Sequence, residues 1–201
     1  MAGVLLDPRV QSLTAAPDRS AWLRFYAAGV LGAPQPHSAR LTDAFAPVLQ
    51  TVTSDEWEGI LLQPVLKALK RTPDAAATSV TALLDALGSS PVLLDATAPQ
   101  LNDALQPHLL GSAAPRAQLA AAALGALCRR CSPTAALSAA AQLAKVKPTT
   151  LSGSQQRHGF ATGLIELSKH VPSMGATAQE ATLVVDALLP LAIKEAHEGA
   201  R

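Results

Sequence analysis

Apolar residues at helical spacing, punctuated by prolines and hydroxyl-bearing caps, recur in this chain about every forty residues. Candidate first helices open near Ser20, Asp55, Pro91, Pro133 and Ala178, at intervals of 35 to 45 residues. A period of that size confines the fold to stacked supersecondary units, since one helix pair cannot bury its apolar face alone and must share it with neighbours. The expected fold class is all-α, an α-solenoid of roughly four to five helix pairs. Residues 1–18 are expected to be an irregular segment and 19–201 the solenoid. The intervals fit HEAT-type repeats of about 40 to 47 residues with shorter members, and are long for tetratricopeptide units of about 34.

The helix boundaries are written in local chemistry. Thr53-Ser54-Asp55-Glu56 reads as a capping box, the Thr53 hydroxyl bonding the Glu56 N–H while that carboxylate reaches back. A helix over about Asp55 to Arg71 follows, with Leu62, Val65, Leu66 and Leu69 on one stripe and Lys67, Lys70 and Arg71 off it. Thr72 and Pro73 cap and start the next helix, which carries Val80, Leu83, Leu84 and Leu87 and stops at Gly88. Ser90-Pro91 is expected to open a helix to about Leu110 along Leu94, Ala98, Leu101, Leu105 and Leu109, with Pro115 to Cys131 as its partner. Ser132-Pro133 caps a helix to about Lys145, and Gln155 to Val171 forms another around Phe160, Leu164 and Leu167. A second capping box, Thr177 to Glu180, opens a last helix to about His197. That final unit lacks a second helix, which suggests a piece excised from a longer protein. Pro64 and Pro190 fall inside first helices and should bend them.

Composition narrows the class further. Alanine supplies 41 of the 201 residues and aromatic residues 3%, which favours closely packed helices over a sheet. No run approaches the roughly 18 apolar residues that cross a bilayer, and the N-terminus lacks a basic segment followed by an apolar stretch. A soluble, cytoplasmic protein with no membrane partner is the expectation.

Three motif-bearing stretches and one terminal one carry a family resemblance, in the same order along the chain. They are Ser54-Asp55-Glu56-Trp57 running on through Pro64 to Asp74, then Leu127 to Ser132, Leu151 to Arg157, and Glu195 to Gly199. Together they resemble the N-terminal repeats of the general control non-derepressible family, giant HEAT-repeat translational activators. The resemblance spans roughly Thr53 to Gly199, and none is visible from Met1 to about Arg40. It implies a segment of a ribosome-associated scaffold that promotes phosphorylation of the alpha subunit of initiation factor two by a stress kinase. The kinase-binding region of such proteins lies far toward their C-terminal end, so the kinase is a partner only through regions absent from this chain. The implied partners here are ribosomal RNA and ribosomal proteins, with other proteins along the solenoid surfaces.

Charge patterning points the same way. The chain carries 16 Lys plus Arg against 15 Asp plus Glu, yet no acidic residue lies between Asp103 and Glu166. Arg116, Arg129, Arg130, Lys145, Lys147 and Arg157 all fall in that interval and are the candidate ribosome or phosphate contacts. The plainer reading is a solvated face that keeps an alanine-rich solenoid in solution. Lys145 and Lys147 adjoin a hydroxyl-rich loop from Lys147 to Ser154, readable as a contact point or a connector. Lys67, Lys70 and Arg71 form a second basic candidate, with Asp74 close in sequence. No aromatic platform accompanies the central charges, which disfavours single-strand stacking.

Catalytic and metal chemistry finds little support. Cys128 and Cys131 form a C-x-x-C sequence, but no second Cys or His pair is suitably spaced for zinc, and Leu124, Leu127, Cys128 and Cys131 make an apolar helical stripe. Buried packing thiols are the better reading. There is no nucleophile elbow, no phosphate loop and no H-E-x-x-H helix, and Asp55, Glu56 and Glu58 are ordinary first-turn carboxylates. The expectation is a non-enzymatic scaffold without cofactor or metal. The alternative is a generic HEAT adaptor that binds protein helices in transport or complex assembly.

Overall fold

The structure is a computed structural model. It describes residues 19–31, 37–71, 73–87, 94–111, 113–144 and 153–168, together with Thr182 and Asp186. The expected cap at Thr72, the stop at Gly88, the loop from Lys147, Pro190 and the last capping box all lie outside these residues. Among the described residues every regular element is helical, as the periodicity requires, and no helix is long and apolar enough to cross a membrane. The chain divides into two compact units, Met1–Thr97 and Ala98–Arg201.

The first unit holds α1 (Arg19–Val30), α2 (His37–Leu49), a short α3 (Ser54–Glu56), a π-helical turn (Trp57–Leu61), α4 (Leu62–Arg71) and α5 (Pro73–Ala86). Each helix packs on its sequence neighbour, α1 on α2 and α4 on α5. The two pairs also meet helix for helix, α1 against the π turn and α4, and α2 against α5. That is how tandem helix pairs share one core. The core follows the expected stripes: Val65, Leu69, Val80, Leu83, Leu84 and Leu87 are all fully buried.

The capping box forms as the sequence implies. The Glu56 N–H donates to Thr53 Oγ1 at 3.3 Å, and the Thr53 N–H donates to the Glu56 carboxylate at 3.0 Å. The helix beyond it is not uniform, because the Leu62 N–H reaches back to the Trp57 carbonyl across a π turn. Pro64 supplies the reason. It has no N–H to offer the Ile60 carbonyl and its ring crowds that oxygen, so widening the preceding turn relieves the clash. The expected bend is thus realised as a π turn.

The second unit contains α6 (Ala98–Leu109), α7 (Ala114–Arg130), α8 (Pro133–Ala144) and α9 (Ser154–Ser168). Its pairing repeats the logic of the first: α6 with α7, α8 with α9, then α6 against α8 and α7 against α9. One boundary differs from expectation. The helix anticipated from Pro91 begins at Ala98, preceded by a turn over residues 95–97. Pro99 suits that start, since in the first turn of a helix its missing N–H leaves no intrahelical bond unmade. The stripe nonetheless holds, with Leu94, Ala98, Leu101, Leu105 and Leu109 all buried.

The alanines have a visible use in this unit. Ala117, Ala120, Ala121 and Ala123 of α7 are completely buried, which lets α9 approach closely. Gly159 of α9 lies so near that a Cβ there would collide with the Leu109 carbonyl oxygen and sit 3.1 Å from the Ala117 Cβ. Ser132 caps α8 as expected, its hydroxyl accepting from the Ala135 N–H at 3.3 Å. The buried Asn102 side chain of α6 donates to Gln142 of α8 at 2.7 Å, so its amide is not stranded in the core.

Candidate interaction surfaces

The described members of the six basic residues singled out by charge do not form one cluster. Arg116 stands in the first turn of α7 and Arg129 and Arg130 in the last, at opposite ends of one helix about 20 Å apart. Arg129 is exposed, while Arg116 and Arg130 are half-buried. Arg157 of α9 is only 4% exposed, so its place in the expected surface is withdrawn: its guanidinium is enclosed by the unit and offers no outer face to a partner. Lys145 and Lys147 lie outside the described residues. What remains is Arg116 near the start of α7 and the Arg129–Arg130 pair at its end, with Asp103 and Glu166 the acidic residues that bracket the interval in sequence.

Cys128 is buried, and burial pushes its thiol up to about 12 against a smaller opposing pull from Arg129. A thiol held protonated is a poor nucleophile and a poor metal ligand, in keeping with a packing role. Cys131 is half-buried, and the two cysteines are not joined in a disulfide.

The first unit presents a surface that the sequence only half reveals. A groove of about 680 Å³ runs between α1 on one side and the π turn with α4 on the other. Arg24 from α1 and Lys67 and Arg71 from α4 line it, along with Gln63. Its apolar lining is Ala27 and Ala28 from α1 and Leu31 just beyond it, facing Ile60, Pro64 and Ala68. Among the described residues no acidic side chain lines it. Of the second basic candidate, Lys67 and Arg71 enter the groove, one helical turn apart on α4, and Lys70 is exposed outside its lining. Arg24 was not legible as a member, because only tertiary packing brings α1 beside α4.

Two contacts fix the walls of that groove. Arg19 at the start of α1 pairs with Glu56, its Nε 2.6 Å from Oε1 and its Nη2 3.1 Å from Oε2, and also donates to Thr51 Oγ1 at 2.8 Å. Burial alone would raise the Glu56 pKa, but the hydrogen bonds from Arg19 and from the Thr53 backbone outweigh it and bring the carboxyl below its ordinary 4.5. Trp57, buried in the π turn, donates its indole N–H to Thr97 Oγ1 at 3.0 Å. On the other flank of α1, Trp22, Phe25, Tyr26 and Phe45 form an aromatic cluster with centroids 5.2 to 6.2 Å apart. Phe25 there remains 47% exposed.

Comparison with known proteins gives these surfaces a setting. The family model described as "Stalled ribosome sensor GCN1 N-terminal" matches residues 19–157, more than half of the chain. The chain belongs to the GCN1 N-terminal family. The human stalled ribosome sensor GCN1 is 27% identical over 188 residues, which cover 90% of this chain. The chain spans only 7% of the length of that relative. No solved structure matches. The GCN1 family match begins at Arg19, so the absence of resemblance expected up to about Arg40 is corrected. Helix α1, with its Arg24 and the Arg19 that clasps Glu56, is part of the family domain.

Proposed function

We propose that this chain is a ribosome-contacting scaffold segment, and that the two ends of α7, with Lys145 and Lys147 beyond α8, supply its electrostatic contacts to ribosomal RNA. The observation that carries the reading is membership of the GCN1 N-terminal family, whose human relative is named a stalled ribosome sensor. Support comes from the stretch between Asp103 and Glu166, which bears five cations besides the buried Arg157, and no carboxylate, and of which Arg129 stands exposed. Cations spaced along a rigid helix gain affinity by displacing counterions from phosphate, with no need for base-specific contacts. Helix pairs stacked in each unit provide that rigidity. The full solenoid across 19–201, the HEAT identity of its repeats and a cytoplasmic setting belong to the same proposal.

Activation of the stress kinase that phosphorylates initiation factor two alpha is proposed for the longer protein of which such a segment would form part. This segment would serve recruitment. Co-sedimentation of the 201-residue chain with purified ribosomes at rising salt is the test. Binding that falls steeply with salt and weakens in the R129A/R130A/K145A/K147A variant is expected, and an affinity indifferent to both salt and variant would overturn the proposal.

A further inference from the structure

The groove of the first unit is a surface distinct from α7, and its lining fits a different kind of partner. We infer that it docks one acidic amphipathic helix of a protein partner, apolar side chains in the trough and carboxylates against Arg24, Lys67 and Arg71.

Three observations carry this. The lining pairs an aliphatic floor with cations contributed from both walls, and among the described residues no carboxylate lines it to neutralise them. None of Arg24, Lys67 and Arg71 makes an ion pair among the described residues, whereas Arg19 is engaged by Glu56. A surface of one sign with an apolar centre selects a ligand of opposite sign and matching amphipathicity.

The dimensions agree. The α4 side runs from Ile60 to Arg71, a rise of about 16 Å, equal to roughly three helical turns of a guest. Small residues make the trough: Ala27, Ala28 and Ala68 keep the floor low between the larger Leu31, Ile60 and Pro64. A volume of about 680 Å³ lies within the range of well-formed ligand clefts, roughly 300 to 1,000 Å³. Lys67 and Arg71, four residues apart on one helix, would meet carboxylates at the same spacing on the guest.

The walls are also held in place before any guest arrives. Arg19 fastens α1 to the start of the α3–α4 stretch, and Trp57 anchors the π turn through Thr97. A groove fixed in advance loses less conformational entropy on binding.

Nucleic acid fits this surface less well than protein. Among the described residues no aromatic side chain lines the groove for bases to stack on, and an aliphatic floor offers a sugar-phosphate backbone no hydrogen bonds. The aromatic cluster of Trp22 and Phe25 is not part of the lining.

Fluorescence anisotropy of the whole 201-residue chain tests the inference with defined probes. One is a stapled helical peptide of about three turns bearing a leucine stripe flanked by glutamates. A second has every glutamate replaced by glutamine, and a third is an RNA hairpin of similar negative charge. The glutamate peptide should bind roughly tenfold or more tightly than the glutamine peptide. R24A/K67A/R71A should remove that preference. A28F, which fills the trough from an exposed position, should weaken both peptides, while R129A/R130A should leave peptide binding unchanged. Because the substituted groove residues are exposed, circular dichroism should show helical content retained in each variant. Equal affinity for the two peptides, no binding of either, or insensitivity to R24A/K67A/R71A and A28F would overturn the inference. Stronger binding of the RNA hairpin, abolished by R24A/K67A/R71A, would overturn it in favour of a phosphate site. Ribosome co-sedimentation scores the α7 proposal separately, so either can fail alone.

Discussion

Glu56 serves two partners at once, and its protonation should be felt in stability. Its carboxylate closes the capping box on Thr53 and pairs with Arg19, so the folded state favours the ionised form. A carboxyl whose pKa is lower folded than unfolded contributes stability that is present above its ordinary 4.5 and lost as pH falls through the folded value. Urea midpoints measured down through the acid range should therefore decline less steeply in E56Q than in the parent chain, and E56Q should already be weaker at pH 7. Losing a cap of this kind costs on the order of 1 kcal/mol, and the Arg19 pair adds little because both groups keep about a fifth of their side-chain surface in water. The two thiols make a second residue-scale prediction. A disulfide-exchange reagent at pH 8 should label Cys131 in the native protein and reach Cys128 only after unfolding, an assignment that C131S would confirm by abolishing the fast phase.

The helix ends were the most legible elements, because a cap is a local device. Thr53 with Glu56 and Ser132 ahead of Pro133 are satisfied by residues within three positions, and Pro115 marks the first turn of α7, so short-range spacing suffices to find them. Leu94 misled for the opposite reason. It continues the apolar stripe of α6, yet it sits ahead of the helix, since burial is decided by neighbours rather than by helicity. The π turn was foreseen only as a bend, because an extra residue in a turn leaves the apolar pattern around Trp57 and Leu61 almost intact. Close packing of α9 gives a prediction of opposite signs at two glycines. Alanine has the higher helix propensity by about 1 kcal/mol, and at exposed Gly29 of α1 nothing lies within 4 Å of an added Cβ, so G29A should be neutral or stabilising. At Gly159 the added methyl would strike the Leu109 carbonyl, a backbone atom that cannot swing aside, and G159A should lower the unfolding free energy by roughly 1 to 3 kcal/mol, read as a lower urea midpoint. G163A should fall between, because it meets the flexible end of the Leu109 side chain.

For the whole molecule, the all-α class and the pairing of helices were readable from periodicity, while the composition of its surfaces was not. Arg157 shows why: an arginine in a basic interval looks like a surface charge, and only tertiary packing reveals that it is enclosed. Arg24 shows the converse, an inconspicuous charge made a groove residue by a helix some forty positions away. At this scale the ribosome proposal makes a quantitative demand. If Arg129 and Arg130 each neutralise a phosphate, removing both should flatten the logarithmic salt dependence of binding by about 1.5.

The chain has two tryptophans, and Trp22 and Trp57 both fall within Met1–Thr97. Indole emission is therefore a private channel to one half of the polypeptide. Iodide should quench the half-buried Trp22 and spare Trp57, which is 1% exposed. A melt followed by that emission tracks the N-terminal portion alone, whereas far-ultraviolet ellipticity sums over both. Coincident midpoints would mark a single cooperative transition, and separated ones would mark two independently melting parts.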